Sequence, residues 1–80
     1  MLKTAREIEA KVRAGKPERW AVGEGAYIQV ARVAKHSTAA WVFRYQVAGN
    51  ARTAGLGPYP LVTVAEAREK ARSARKQLLD

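Results

Sequence analysis

The chain has 80 residues and a mass of 8.8 kDa, enough for one domain around one small core. Fifteen Lys and Arg against seven Asp and Glu leave a net charge of +8 and a pI near 10.5, which points to a polyanionic partner. The lack of Cys removes disulfides and thiolate metal sites, and the single His36 rules out any site that needs two; no apolar run approaches the ~18 residues of a membrane span. No apolar signal segment opens the chain, so a cytoplasmic protein is expected, with no membrane partner, metal or cofactor.

Thr4 and Glu7 have the spacing of a capping box, and Ala5, Ile8 and Val12 form one apolar stripe. A helix of two to three turns is predicted, stopped by Gly15 and Pro17. Its narrow stripe must lean on the rest of the domain or leave the helix partly mobile. Residues 20–25, with Gly23 and Gly25, are expected to form a connector and turn. A first strand is predicted over 27–33 and a polar loop over 35–39. The second strand, 41–47, alternates clearly: Trp41, Phe43, Tyr45 and Val47 share one face, and Val42, Arg44 and Gln46 the other.

Gly49-Asn50 has the chemistry of a tight hairpin turn, so a third strand over 51–56 should pair antiparallel with the second. Gly55, Gly57, Pro58 and Pro60 then interrupt regular structure. Thr63 and Glu66 repeat the capping spacing ahead of a helix with Val64, Ala67, Ala71, Ala74 and Leu78 on one stripe, and Glu66 and Lys70 are placed to pair at i,i+4. The expected fold is α+β, ordered α-β-β-β-α: a three-stranded antiparallel sheet packed on the C-terminal helix, with a short N-terminal helix. The helix should cover the aromatic face and leave the other open.

Charge is unevenly divided. Residues 26–62 hold four basic side chains and no acidic one, half of the net charge, as suits a surface facing phosphates. Parity places Tyr27, Gln29, Ala31, Val42, Arg44, Gln46 and Thr53 on the open face. Arg and Gln can make bidentate bonds to guanine and adenine edges, and a β-ribbon fits the major groove. The plainer account is an ordinary solvated sheet face. Arg68, Arg72, Arg75 and Lys76 suit a solvent-facing helix better than a phosphate site, and His36 suits an exposed loop better than a ligand. Gly55-Leu56-Gly57 lacks the Lys-Ser/Thr of a phosphate loop, and no nucleophile–base or carboxylate pair suggests catalysis.

Four strings carry a resemblance: Tyr27-Ile28-Gln29-Val30, Trp41-Val42-Phe43-Arg44-Tyr45, Leu56-Gly57-Pro58-Tyr59-Pro60 and Val64-Ala65-Glu66-Ala67-Arg68. Together they resemble the N-terminal arm-type DNA-binding domain of phage and genomic-island integrases, which are tyrosine recombinases. The resemblance implies a three-stranded sheet backed by a helix, laid into the major groove of arm-type sites that flank an attachment core. It also implies that the catalytic residues lie in a separate domain, so that residues 1–80 are a single non-enzymatic domain excised from a longer integrase. Double-stranded DNA is the implied partner, other integrase subunits a further one, and the isolated domain should be monomeric. Gln29, Arg44, Gln46 and Thr53 are then the candidate base readers, with Arg32, Lys35, His36 and Arg52 nearer the phosphates. Ala39, Val42 and Gln46 stand where the family often has basic residues, and the hairpin Gly49-Asn50-Ala51-Arg52 is less basic than usual, so base contacts should differ from those of relatives. Trp41, Phe43, Tyr45, Leu56 and Tyr59 are assigned to the core or its rim. The alternatives are a protein-interaction module between integrase subunits, through the N-terminal helix or the Tyr59 loop, and a single-strand or RNA-binding sheet, which requires aromatics on the open face.

Overall fold

Thr4 begins the first helix as its spacing predicts. Its hydroxyl accepts from the Glu7 amide at 3.2 Å, while the Glu7 carboxylate accepts from the Thr4 amide at 3.1 Å. The resulting α1 spans Ala5–Ala14 and ends on Gly15, whose φ of 70° gives the left-handed cap that an L side chain resists. The computed structural model describes residues 1–79, with Leu79 by its backbone alone. Four strands follow, β1 (Glu18–Gly23), β2 (Ala26–Val33), β3 (His36–Val47) and β4 (Asn50–Pro58), and then α2 (Val64–Leu79). The strands form one antiparallel sheet in the order β1-β2-β3-β4, so the expected three-stranded sheet has one strand too few.

The additional strand is β1. Gly23 and Gly25 suggested a connector, but Trp20 and Val22 alternate with Arg19 and Ala21, and pairing with β2 brings Arg19 opposite Gln29 and Trp20 opposite Ile28. Trp20 packs against the core under the Lys11 ammonium, 5.1 Å from the ring centroid, and Val22 is buried.

All three connections are two-residue hairpins. Glu24-Gly25 and Ala48-Gly49 have positive φ at both central residues, which matches the right-handed twist of paired strands, and Ala34 (φ 56°) opens the turn between β2 and β3. Two expected boundaries therefore move. The polar loop at 35–39 contracts to Ala34-Lys35, with His36 to Ala39 inside β3, and the last turn sits one residue earlier than Gly49-Asn50.

Ala26, Ile28, Val30, Trp41 and Phe43 are buried on one face of the sheet. Both helices cover that face, α2 through Ala67 and Ala71 and α1 through Ile8. The methyl groups of α2 let its axis approach the aromatics closely, as the sequence suggests. Val47 and Leu78, expected on the covered side, remain 42% and 49% exposed, because β3 and α2 both run past the packed region. The expected Glu66–Lys70 pair does not form: Thr63 engages Glu66 in a second cap, and Lys70 donates to the Leu56 carbonyl at 3.2 Å.

Trp41 joins the layers. Its indole Nε1 donates to the Val62 carbonyl at 2.6 Å, and its ring meets Tyr59 edge-on at 5.9 Å. Opposite Trp41, Gly57 has φ 128°, and a Cβ there would fall 2.5 Å from Val62 Cγ2.

Trp41→Phe leaves the Val62 carbonyl unpaired in the interior and is expected to lower unfolding free energy by about 2–3 kcal/mol in urea denaturation. The two caps contribute to the acid limb of stability. The Lys3 and Thr4 amides and the Thr4 hydroxyl hold Glu7 below its usual 4.5, and the Thr63 amide and hydroxyl do the same for Glu66. A lowered folded pKa contributes stability above the unfolded value, and that contribution is lost as pH falls through the folded one. The urea midpoint should therefore decline below about pH 4.5, and less steeply in a Thr4→Ala/Thr63→Ala chain.

Candidate nucleic-acid interface

With both helices on one side, the other face of the sheet is left to solvent. From β1 it carries Arg19 and Ala21, and from β2 Tyr27, Gln29 and Ala31. From β3 it carries Thr38, Ala40, Val42, Arg44 and Gln46, and from β4 Ala51, Thr53 and Gly55. Among the described residues no carboxylate lies on this face. Glu7, Glu9, Glu66 and Glu69 are on the helices, Glu18 points to the helix side beside Lys16, and Glu24 in a turn pairs with Arg72 at 3.7 Å.

Two contacts give the face a defined shape. The Arg44 guanidinium stands over the Tyr27 ring, 5.6 Å from its centroid, and Arg19 Nε donates to Gln29 Oε1 at 2.8 Å. Val42, directly across from Tyr27, is 7% exposed, so the floor of the face there is apolar and closed while its polar groups project. A shallow hollow of about 150 Å³ opens beside Tyr27, Arg44 and Gln46. Ala21, Ala31, Ala40 and Ala51 keep the rest low, which lets a bound surface come near the backbone.

The sequence-predicted residues separate into two sets. Gln29, Arg44, Gln46 and Thr53 share the open face, with Arg44 directly opposite Thr53. Lys35 and His36 lie at the β2–β3 hairpin, and His36 has the parity of the open face. Arg32 and Arg52 do not share it. Arg32 pairs with Ser37 on the helix side, where its Nη1 lies 3.0 Å from the position of a Cβ on Gly15, at the C-terminus of α1, and Arg52 pairs with Tyr45. Both are nevertheless exposed. The ends of β3 lie roughly 35 Å apart at ~3.4 Å per residue; Lys35 and His36 mark one end, and Arg44 and Arg52 stand in adjacent rows on opposite faces near the other.

Arg19 was missed. A connector has no face, and only the Trp20, Val22 alternation could have placed Arg19 beside Gln29. Arg68, weighed above as a phosphate ligand, is instead half-buried, donating to the Val22 carbonyl at 2.7 Å and the Lys3 carbonyl at 3.2 Å. It ties α2 to β1 and to the N-terminal segment, whose Leu2 amide donates to the Ala21 carbonyl at 2.9 Å.

Residues 3–80 match the family model described as "Arm DNA-binding domain". Similar proteins include an "Integrase" of Shigella phage Sf6 and the "Prophage integrase IntS" of Escherichia coli (strain K12). Each is 39% identical over 75 residues, which cover 94% of this chain and 19% of the relative. The chain thus spans about a fifth of the length of these curated relatives.

Removing each of two arginines should separate fold from surface. Arg68→Ala, which loses charge-assisted bonds to the Val22, Leu2 and Lys3 carbonyls, should destabilise the chain by about 2 kcal/mol in urea denaturation. Arg44→Ala should change stability by no more than about 0.5 kcal/mol, as expected for an exposed residue.

Proposed function

The chain belongs to the Arm DNA-binding domain family, and from that premise we propose that residues 1–80 form one DNA-binding module of a site-specific tyrosine recombinase. The module binds duplex DNA at arm-type sites flanking an attachment core, with the open sheet face in the major groove. The observation that carries this reading is the carboxylate-free face that holds Arg19 and Arg44, with Lys35 at its β2–β3 hairpin end. A phosphate 4 Å from a cation gains about 1 kcal/mol in water and more near a protein surface, and a carboxylate at the same place reverses the sign.

In this arrangement Gln29, Arg44, Gln46 and Thr53 meet base edges. Lys35, His36 and the rim residues Arg32 and Arg52 meet the phosphates on either side. Recombination chemistry belongs to other parts of the parent protein, in keeping with the small share of each relative that the chain covers. The setting is cytoplasmic and the isolated module monomeric; among the described residues no helix is long and apolar enough to cross a membrane.

The single-strand reading is disfavoured by the face itself, where among the described residues Tyr27 is the one Phe, Tyr or Trp ring and Arg44 already stands over it. Contact with another integrase subunit has one observation on its side. Leu61, next to Tyr59-Pro60, is 80% exposed at the edge of an apolar groove lined by Ile8, Tyr59 and Val64.

Duplexes carrying the repeats that flank the element's attachment site should bind more tightly than scrambled duplexes. Affinity should fall with salt, each lost phosphate contact lowering the log–log slope by about 0.9. Equal affinity for scrambled duplex would remove the specificity claim, and amide shift changes confined to α2 would move the interface off the sheet. Arg44→Ala is expected to cost about 1–3 kcal/mol at one base position, with weaker effects elsewhere in the site.

A further inference from the structure

Arg19 is a cation on the open face to which the sequence pattern assigned nothing, and it has a defined partner. It stands directly across from Gln29 in the β1–β2 register, and its Nε donates to Gln29 Oε1 at 2.8 Å. A guanidinium has five N–H donors and no acceptor, so only the oxygen end of the carboxamide can face it. The other end, Nε2 with its two N–H groups, is therefore directed away from β1. The residue across from Gln29 on β3 is Ala40, whose methyl group cannot compete for those donors. Among the described residues no side chain accepts from Gln29 Nε2 or from the Arg19 Nη groups.

We propose that Arg19 sets base specificity together with Gln29: it locks the Gln29 carboxamide so that the pair presents N–H donors and selects guanine over adenine. This inference rests on the duplex-binding reading above. A free Gln recognises adenine by accepting from N6–H and donating to N7. Here the accepting oxygen already takes an N–H from a cation, and that charge opposes the approach of a second donor such as the adenine amino group. Guanine instead offers acceptors at both O6 and N7, which match Gln29 Nε2 and the Arg19 Nη groups. Cross-strand neighbours have Cβ atoms about 5 Å apart, close enough for both side chains to serve one base pair.

The test presents the whole chain with a library of duplexes randomised over about 12 base pairs, a little more than one helical turn, and sequences the bound fraction. Wild type, Gln29→Ala, Arg19→Ala and Arg19→Met are compared; the Met variant keeps an unbranched apolar stem over the sheet and removes the donor. Wild type is expected to show a position where guanine exceeds adenine by about tenfold or more, the worth of a good bidentate pair. Gln29→Ala should erase that position. Both Arg19 variants should lose the guanine preference there, raise adenine, and keep the rest of the motif. Guanine preference that survives in the Arg19 variants overturns the inference and leaves duplex binding intact, as does an adenine preference of the wild type at the position Gln29→Ala erases. Failure of the wild type to enrich any motif removes the sequence-reading claim itself.

Discussion

The bond from Trp41 Nε1 to the Val62 carbonyl is the constraint on which the remaining architecture hangs. Trp41 sits in β3, the longest strand, and is 1% exposed, so its one polar atom needs a partner inside the protein. That partner lies beyond β4, in the segment leading to α2. The bond therefore fixes where the chain turns back over the sheet, and Gly57, opposite Trp41, leaves the space that Val62 fills. Once α2 starts there, Ala67 and Ala71 fall on the aromatics, and α1 closes the remainder through Ile8. Both helices are committed to one face, and the other is free by construction.

That one-sidedness also sorts the charge. A helix tolerates carboxylates because it has first turns to cap and cations three or four residues away, as Glu7, Glu66 and the Glu69–Arg72 pair show. The short hairpins need none. The acidic side chains consequently gather on the helix side and the turns, and the open face keeps its cations without internal neutralisation. The +8 of the whole chain is thus less informative than its geometry: several cations, including Arg13, Lys16 and Arg72, pair with nearby carboxylates, whereas Arg44 rests only on an aromatic ring.

Much of this was legible in the sequence, because face assignment depends on parity alone. The alternation of 41–47 correctly divides Trp41, Phe43 and Tyr45 from Val42, Arg44 and Gln46. Placing the last turn at Gly49-Asn50 instead of Ala48-Gly49 shifts the β3–β4 register by two residues, so Thr53 keeps its face and only its partner changes. The strand β1 was hidden for a different reason. The glycine that follows it serves a close approach that only the paired structure explains, since Gly25, in the β1–β2 turn, lies under Phe43 of β3, where a Cβ would be 2.8 Å from the ring. Reading Gly23 and Gly25 as loop residues discarded the alternation ahead of them. Likewise, Arg68 looks like any basic residue on a helix, and no local pattern shows that two segments distant in sequence, β1 and the N-terminal segment, converge on it.

The missing strand changes the chemistry of the site as well as its width. On a three-stranded sheet Gln29 would occupy an edge strand, its carboxamide free to turn and to read a donor or an acceptor. With β1 in place Gln29 is interior, and Arg19 removes that freedom before any partner arrives. Arg44 is similarly settled by Tyr27, so both central polar groups are ordered in the free chain. Ordering a long side chain on binding costs about 0.5–1.5 kcal/mol, comparable to the discrimination between two bases. Side chains ordered in advance contribute more of their interaction to sequence choice. Lys35 and His36, on an exposed hairpin end, suit a different role, since a phosphate accepts from many directions and a flexible cation gives up little specificity there. The ordered centre and the exposed hairpin cations fit the proposed division between base reading and backbone anchoring, and the ordering of Gln29 arises from the same β1 pairing that the glycines obscured.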